Sequence, residues 1–234
     1  MDCWGIWIYH KSIRKRSSPG GNYLASLRRG ESPLEKEKVK PGKLLSDLCS
    51  PDEGVKWAAV LTMGAYVSDV AQNDLEAARN WMRRFMWQLN EESGGIGWGV
   101  AEVMGEAMAR NETLAREFGR ILLSYLDEGG NCLEFEPLQR GALWGVGRLA
   151  KARPDLLKSF SAPRYIAPFL RSSSAPLRGL AVRALGWIGD PESLPLIRSL
   201  RNDPAEIRIF NGEGLETRSI WELAEEASKK FTPH

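Results

Sequence analysis

Four stretches of the chain align with one another at intervals of about forty residues, and this repetition constrains the fold more than any other feature. Each stretch begins with a branched apolar residue, ends in glycine and carries apolar residues at helical spacing in between. The stretches are Val55–Gly64, Ile96–Gly105, Leu138–Gly147 and Leu177–Gly186, so that successive glycines are 41, 42 and 39 residues apart. Repeats of this length are typical of two-helix units that bury their apolar surface against neighbouring units. The sequence therefore predicts an all-α solenoid of four to five helical pairs.

Helix start and stop signals divide each unit into two helices. Ser50 is expected to cap the first helix with Pro51 in its first turn, and Asn73 or Asp74 to cap the second. Pro163 and Pro168 are expected to interrupt the second helix of the third unit. The expected helix pairs are 51–70 with 74–89, 97–110 with 112–126, 137–153 with 154–170, and 176–188 with 191–201.

The pattern changes near the C-terminus. Ile207–Phe210 and Leu215–Thr217 flank an Asn-Gly dipeptide, which predicts a short β-hairpin. A final helix is expected over residues 219–231, with Ile220, Leu223, Ala224 and Ala227 on one face. The last unit of a solenoid must cover an open end, so an atypical sequence is expected there.

Composition separates an N-terminal arm from the repeats. Residues 1–42 contain basic residues, glycines and prolines with few apolar positions, so we interpret them as a flexible arm, although the aromatic start is also compatible with a docking segment. The repeat domain is expected over residues 43–234. Its units are predicted at about 51–90, 91–129, 130–170, 171–202 and 203–231.

Charge and cysteine content exclude several classes of protein. The net charge of +2 gives no strong basic field for nucleic acid or membrane. The three cysteines form no CxxC pair and the two histidines are His10 and His234, so we predict neither a metal site nor a cofactor. No apolar run reaches membrane-spanning length, and the apolar start precedes rather than follows the basic residues, unlike a secretory signal. We therefore expect a cytoplasmic, monomeric protein.

The fourth unit carries a recognisable motif. Residues 176–190 read PLRGLAVRALGWIGD, which resembles the HEAT repeat and in particular its phycobilin-lyase-type HEAT-like variety. The resemblance extends over roughly residues 43–230 and is weakest in the second unit. It implies an α-solenoid, or armadillo-like scaffold, that binds a partner along one face, and it implies no single chemistry.

Two loops and one helix depart from what a repeat needs. The glycine loop 94–99 is either a bend that lets Trp98 pack closely or a ligand-contacting loop. A second helix that mixes arginine and tryptophan has the composition of a binding hot spot, although a solvated helix face has a similar pattern. Because equivalent loops of successive units lie side by side, the loops opening units two and three should share a rim. The predicted partner-binding residues are Arg79, Arg83, Arg84, Trp87, Gly94, Gly95, Gly97, Trp98, Glu134, Glu136 and Arg140.

These observations favour a non-catalytic adaptor that binds another protein. No nucleophile–base pair or phosphate loop is evident, and the iron-binding His-Glu pairs of HEAT-like hydroxylases are absent. Two alternatives remain. One is nucleic-acid binding, as in HEAT-like DNA glycosylases, although no tryptophan–aspartate constellation is evident; the other is handling of a tetrapyrrole, as in phycobilin lyases. Trp57, Trp98, Trp144 and Trp187 fall near equivalent places in the units and are expected to be core residues.

Overall fold

The computed structural model of the protein describes residues 40–90 and 97–231. The predicted arm therefore lies outside the described residues, except for residues 40–42. Pro41 begins a short helix, α1 (Pro41–Asp47). Leu44 in this helix and Leu48 just after it are buried, and α1 packs on the first long helix of the repeats.

The first unit consists of α2 (Glu53–Asn73) and α3 (Leu75–Leu89). Asp52 caps α2 by accepting a hydrogen bond from the backbone N–H of Gly54 at 2.8 Å, so the predicted cap at Ser50 is wrong by two residues. Asp74 caps α3 by accepting from the backbone N–H of Ala77 at 2.9 Å, which confirms one of the two predicted caps. A carboxylate at each helix start also favours the positive end of the helix dipole.

The middle units follow the expected order with one deviation, at the start of α4. Helix α4 begins at Val100 rather than at residue 97, because Gly99 adopts a left-handed backbone conformation with φ of 72°. The second half of the third unit is broken into short segments at its prolines, as predicted. The elements are α4 (Val100–Arg110), α5 (Glu112–Ser124), α6 (Glu136–Ala152), α7 (Pro154–Ser159), α8 (Pro163–Ile166) and a 3₁₀ helix (Ala167–Arg171).

The fourth unit leads into the C-terminal cap. Gly189, with φ of 69°, ends the long helix of this unit, and Asp190 caps the next turn by accepting from Ser193. The elements are α9 (Ala175–Ile188), 3₁₀ turns at Pro191–Ser193 and Leu200–Asn202 around α10 (Leu194–Ser199), and a last helix, α11 (Ile220–Lys229). The predicted apolar face of α11 is buried.

The first helices form a continuous inner layer, in which α2, α4, α6, α9 and α11 pack in that order. They are apolar on nearly all sides: every residue from Trp57 to Ala65 is buried. The second helices cover one side of this layer and carry polar residues outward. Although α2 is long, none of the described helices combines the length and the apolar character needed to cross a membrane.

The repeated glycine marks the point where each first helix touches the next. A methyl group on Gly105 would lie 2.3 Å from the Cα of Gly145, and one on Gly186 would lie 2.6 Å from the Cβ of Ala227. A methyl group on Gly64 would likewise lie 2.5 Å from Glu106 of α4, whereas one on Gly147 would lie 3.7 Å from Ala184 of α9, an ordinary contact. Because Gly186 faces α11, α11 takes the place of a fifth first helix, which accounts for the expected four to five units.

The hairpin crosses the inner layer on the side away from the second helices. It pairs β1 (Glu206–Phe210) antiparallel with β2 (Leu215–Ser219), and the Asn211 side chain closes the turn by accepting from two backbone N–H groups. The hairpin reaches back to the first unit, where Arg208 lies 3.0 Å from Glu53 and Phe210 stacks on Trp57. The hairpin itself was predicted, but this contact between the last and first units was not.

Candidate functional site: an aromatic groove beside the hairpin

The four units present a stripe of polar and aromatic residues on the face that meets the hairpin, and the stripe is fullest in units two to four. Residues four apart lie on one face of a helix, and the stripe positions coincide when the units are aligned on their glycines. In the first unit the stripe contains Trp57. In the following units it contains Trp98, Glu102 and Glu106; Arg140, Trp144 and Arg148; and Arg183 and Trp187.

The fourth unit departs from the stripe in a way that seats the hairpin. Gly179 occupies the position held by Trp57, Trp98 and Arg140 in the other units. A methyl group there would lie 2.2 Å from Cδ1 of Ile207, so the hairpin side chain fills the space left by the missing one. The glycine therefore explains why the hairpin docks on this unit.

Between the hairpin and the first three units lies a cavity of about 220 Å³, which we call the aromatic groove. Trp57, Trp98 and Trp144 line it together with Phe210 of β1. The Phe210 ring lies 4.5 Å from the ring of Trp57 and 6.2 Å from that of Trp144. The indole N–H of Trp144 donates to the backbone carbonyl of Phe210 at 2.8 Å, which satisfies the buried N–H.

A charged pair lies at the base of the groove. The ammonium of Lys56 is 2.9 Å from Oε1 of Glu102, whose side chain is only 6% exposed. The same ammonium lies 5.1 Å from the centre of the Trp57 ring. Gly141 makes room for this carboxylate, since a methyl group there would lie 2.5 Å from Glu102 Oε2. The pair is neutral overall and gives the groove a fixed polar floor.

The rim of the groove retains positive charge. Arg140 is exposed and lines the opening, and within the described part of the chain it forms no ion pair. Arg208 also lines the groove but is paired with Glu53. A bound group that approaches Arg140 would therefore meet a cation with no carboxylate partner among these residues.

The structure brings together the predicted loops of units two and three. The rings of Trp98 and Phe135 meet edge to face at 5.6 Å, and Trp98 and Arg140 line the same cavity. Gly97 packs against the end of α3, where a methyl group would lie 3.0 Å from the carbonyl oxygen of Gln88. Glu136 accepts a hydrogen bond from Ser174 at 2.7 Å, and Glu134 is exposed. Gly94 and Gly95 lie outside the described residues.

The predicted residues of α3 have a different setting. Arg79 donates to Glu117 of α5 at 2.8 Å, and this hydrogen bond raises the pKa of the guanidinium above its ordinary value. Arg83 donates to Glu76 at 2.7 Å, and the pKa of that carboxyl is lowered chiefly by this bond. Arg84 lies over the ring of Trp81 at 5.4 Å. Arg79 thus joins α3 to α5, Arg83 pairs within α3, and Trp87 is an exposed anchor on this helix, with 64% of its surface accessible.

Lys56, Glu102 and Phe210 belong to the groove but were not among the predicted residues. Glu102 carried a signal: Glu102 and Glu106 stand four and eight residues after Trp98, on a helix whose other residues before Arg110 are apolar. The contribution of Phe210 depends on a contact with Trp57 far away in the sequence, and no local pattern reports it.

Comparison with known proteins identifies the repeats. The pattern of the HEAT-like repeat matches residues 136–186, and that of the PBS lyase HEAT-like repeat matches residues 177–203. Residues 136–203 are HEAT-like repeats. The two matches cover the third and fourth units, where the sequence resemblance was strongest.

The similar proteins extend this result to the whole fold. An uncharacterized protein of Archaeoglobus fulgidus is 24% identical over 193 residues, which cover 82% of this chain and 98% of the relative. A designed armadillo repeat protein in complex with the peptide (KR)4 superposes with a TM-score of 0.53 at 16% identity, over 92% of this chain and 88% of that one. A second designed armadillo repeat protein superposes with a TM-score of 0.51 at 15% identity over the same shares. At these identities the likeness shows the fold alone, an α-solenoid of the HEAT and armadillo type.

Proposed function

We propose that this HEAT-like protein is a non-catalytic adaptor that binds a segment of a partner protein in the aromatic groove. The observation that carries the proposal is the groove itself, a preformed cavity with three tryptophans in its walls and, at its rim, an arginine that has no ion-pair partner among the described residues. Aromatic pockets beside an arginine are typical of binding hot spots. A designed armadillo repeat protein of similar fold is in complex with the peptide (KR)4, which supports a peptide segment as the partner here.

The chemistry of the groove suggests what the segment carries. The tryptophan walls favour an aromatic or aliphatic side chain, because this buries apolar surface. The charges of Lys56 and Glu102 satisfy each other, so the remaining rim charge is that of Arg140. We therefore infer an apolar anchor residue close to an aspartate or glutamate that pairs with Arg140.

Selection of peptides on the full-length protein tests this proposal. A display library of random linear peptides is selected on the wild type, and the affinities of the enriched peptides are measured. We expect Trp98→Ala and Arg140→Glu each to weaken binding at least tenfold, which corresponds to about 1.4 kcal/mol. Trp221→Ala is the matched control, since Trp221 is an exposed tryptophan that does not line the groove.

The affinities of the selected peptides distinguish the aromatic groove from the exposed surface of α3 as the binding site. Peptides that bind both groove variants as tightly as the wild type would place the binding surface elsewhere. Trp87→Ala tests the second possibility, the exposed anchor on α3. Loss of binding in that variant alone would move the site to the end of α3.

Nucleic-acid binding is a second candidate, because the structure places a carboxylate among tryptophans. Glu102 lies in the same cavity as Trp57, Trp98 and Trp144, an arrangement that the sequence did not reveal. Aromatic walls with arginines at the rim suit a base and its phosphate. Binding of a single-stranded oligonucleotide that falls steeply with salt and is lost in Arg140→Glu would favour this candidate. Salt-independent binding, or none, would leave the protein-binding proposal.

A further inference from the structure

A second cavity lies on the opposite side of the hairpin from the aromatic groove. It has a volume of about 320 Å³ and is bounded by α6, α9, α11 and β2. Lys151, Arg183, Trp187 and Lys230 form one end of it, and we call this end the basic pocket. Its residues come from two successive first helices, α6 and α9, and from Lys230 immediately after α11, so the stacking of the units assembles it.

Three cations converge on this pocket around one tryptophan. The ammonium groups of Lys230 and Lys151 lie 3.0 Å and 5.3 Å from the centre of the Trp187 ring. The electron-rich faces of an indole stabilise cations at such distances. Arg183 donates to the backbone carbonyl of Phe210 at 3.4 Å, so its charge is held beside the docked hairpin.

The carboxylates Glu216 and Glu226 of the cavity each have a partner in or beside the hairpin, and their charges also act on Arg183. Glu226 lies 3.3 Å from Arg218, and its contact with Lys230 is longer, at 3.6 Å. Glu216 accepts from Asn211 at 3.1 Å. Glu213 also lines this side of the cavity. Considering the described residues, neither Lys151 nor Arg183 forms an ion pair, which leaves the basic pocket with excess positive charge.

The pKa values of Arg183 and Lys230 reflect their burial and the charges around them. Burial lowers the pKa of Arg183. The pKa of Lys230 is lowered first by burial, against the opposing effect of Glu226, and the charges of Arg183 and Lys151 lower it further. Like charges held close together repel one another, and an anion among them removes that repulsion.

We propose that the basic pocket binds a phosphate-bearing small anion. Three converging cations match a phosphate dianion better than a single carboxylate, and the planar fork of Arg183 suits two phosphate oxygens. The cavity is larger than a bare phosphate ion requires, so there is room for an organic part beside the phosphate. This site is separate from the aromatic groove and does not depend on the proposed partner.

Calorimetric titration of the full-length protein with inorganic phosphate and with pyrophosphate tests this site. We expect saturable binding of at least one of the two, with Lys151→Gln and Arg183→Gln each weakening it at least tenfold. Lys158→Gln is the matched control, because Lys158 is an exposed lysine on α7 that does not line the cavity. Citrate provides a carboxylate arm and should bind more weakly than pyrophosphate.

The result can overturn the proposal in three ways. Absence of phosphate and pyrophosphate binding by the wild type would do so, as would citrate binding more tightly than either. Equal binding by the wild type and Lys151→Gln would also do so. Circular dichroism shows whether Arg183→Gln remains folded, and Lys151→Gln replaces an exposed side chain, so the comparison stands even if the arginine variant unfolds.

Discussion

At the scale of single residues, the aligned glycines are equivalent in sequence but not in surroundings. A methyl group on Gly105 would lie 2.3 Å from Gly145 Cα, whereas one on Gly147 would meet Ala184 at 3.7 Å, an ordinary contact. We expect Gly105→Ala to lower the free energy of unfolding by about 1–3 kcal/mol, because backbone atoms of α6 have to move. Urea denaturation followed by circular dichroism measures this change.

Gly147→Ala is the control for that experiment. It adds the same methyl group in the middle of a helix, where alanine is favoured over glycine by about 0.5–1 kcal/mol. Its stability should therefore be unchanged or slightly raised. An equal loss of unfolding free energy in both variants would mean that the close contact between α4 and α6 at Gly105 does not cause the destabilisation.

Tyr125 gives a prediction about pH. Burial raises its pKa to about 12, although a hydrogen bond with Asn90 opposes the shift. The protonated phenol is therefore favoured in the folded state, so its contribution to stability is present in full below about pH 10. It is lost as the pH rises from about 10 towards 12, where only the unfolded chain would release this proton. The free energy of unfolding should fall more steeply over this range in the wild type than in Tyr125→Phe, and parallel curves would contradict the assignment.

The alignment of the units predicted one contact between residues of different units and missed another. Trp98 and Arg140 were predicted to share a rim and they line one cavity, because the alignment of units places them side by side. The same alignment relates Arg79 to Glu117, 38 residues later and close to one repeat period, yet their ion pair was not foreseen. Opposite charges one period apart on successive second helices are a signal that could have been used. The partner-binding role of the predicted residues stays a proposal.

At the scale of elements, Phe210 is one of the buried residues that hold the hairpin to the inner layer. We expect Phe210→Ala to release β1, because the variant loses the stacking on Trp57 and the contact with Trp144. Amide hydrogen exchange over residues 206–210 should then accelerate markedly while far-ultraviolet circular dichroism remains helical. Phe135→Ala, which removes an exposed ring away from the hairpin, should leave that exchange unchanged.

A second substitution reaches the same element from the helix side. Gly179→Trp restores the residue type that the first two units have at this position, and its ring would occupy the space of Ile207. It should therefore accelerate exchange in β1 as Phe210→Ala does. Protection that persists in both variants would mean that other contacts hold the hairpin.

The helices and the hairpin were largely predictable from the sequence. The position of the hairpin on the helices was not. Asp74 marked the start of α3, and Pro163 marked the break in the third unit, because caps and prolines act locally. The Asn-Gly turn likewise predicted the hairpin. The position of the hairpin depends on a stacking contact between Trp57 and Phe210, which lie at opposite ends of the repeats.

At the scale of the whole molecule, the hairpin couples the two ends of the solenoid. Repeat arrays usually fray unit by unit, because each unit contacts only its neighbours. Here the last unit also contacts the first through Arg208 and Phe210. We expect α2 and α11 to lose exchange protection at the same urea concentration in the wild type and at different concentrations in Phe210→Ala. Separate transitions in the wild type would show that the ends are independent.

The contact between the ends also fixes the number of units. Repeat proteins commonly change length in evolution by duplicating or deleting whole repeats, since a new unit needs only a matching neighbour on each side. An extra unit inserted here would carry Phe210 away from Trp57 and open the aromatic groove. A change in the number of repeats would therefore require the contact between Trp57 and Phe210 to be lost or rebuilt.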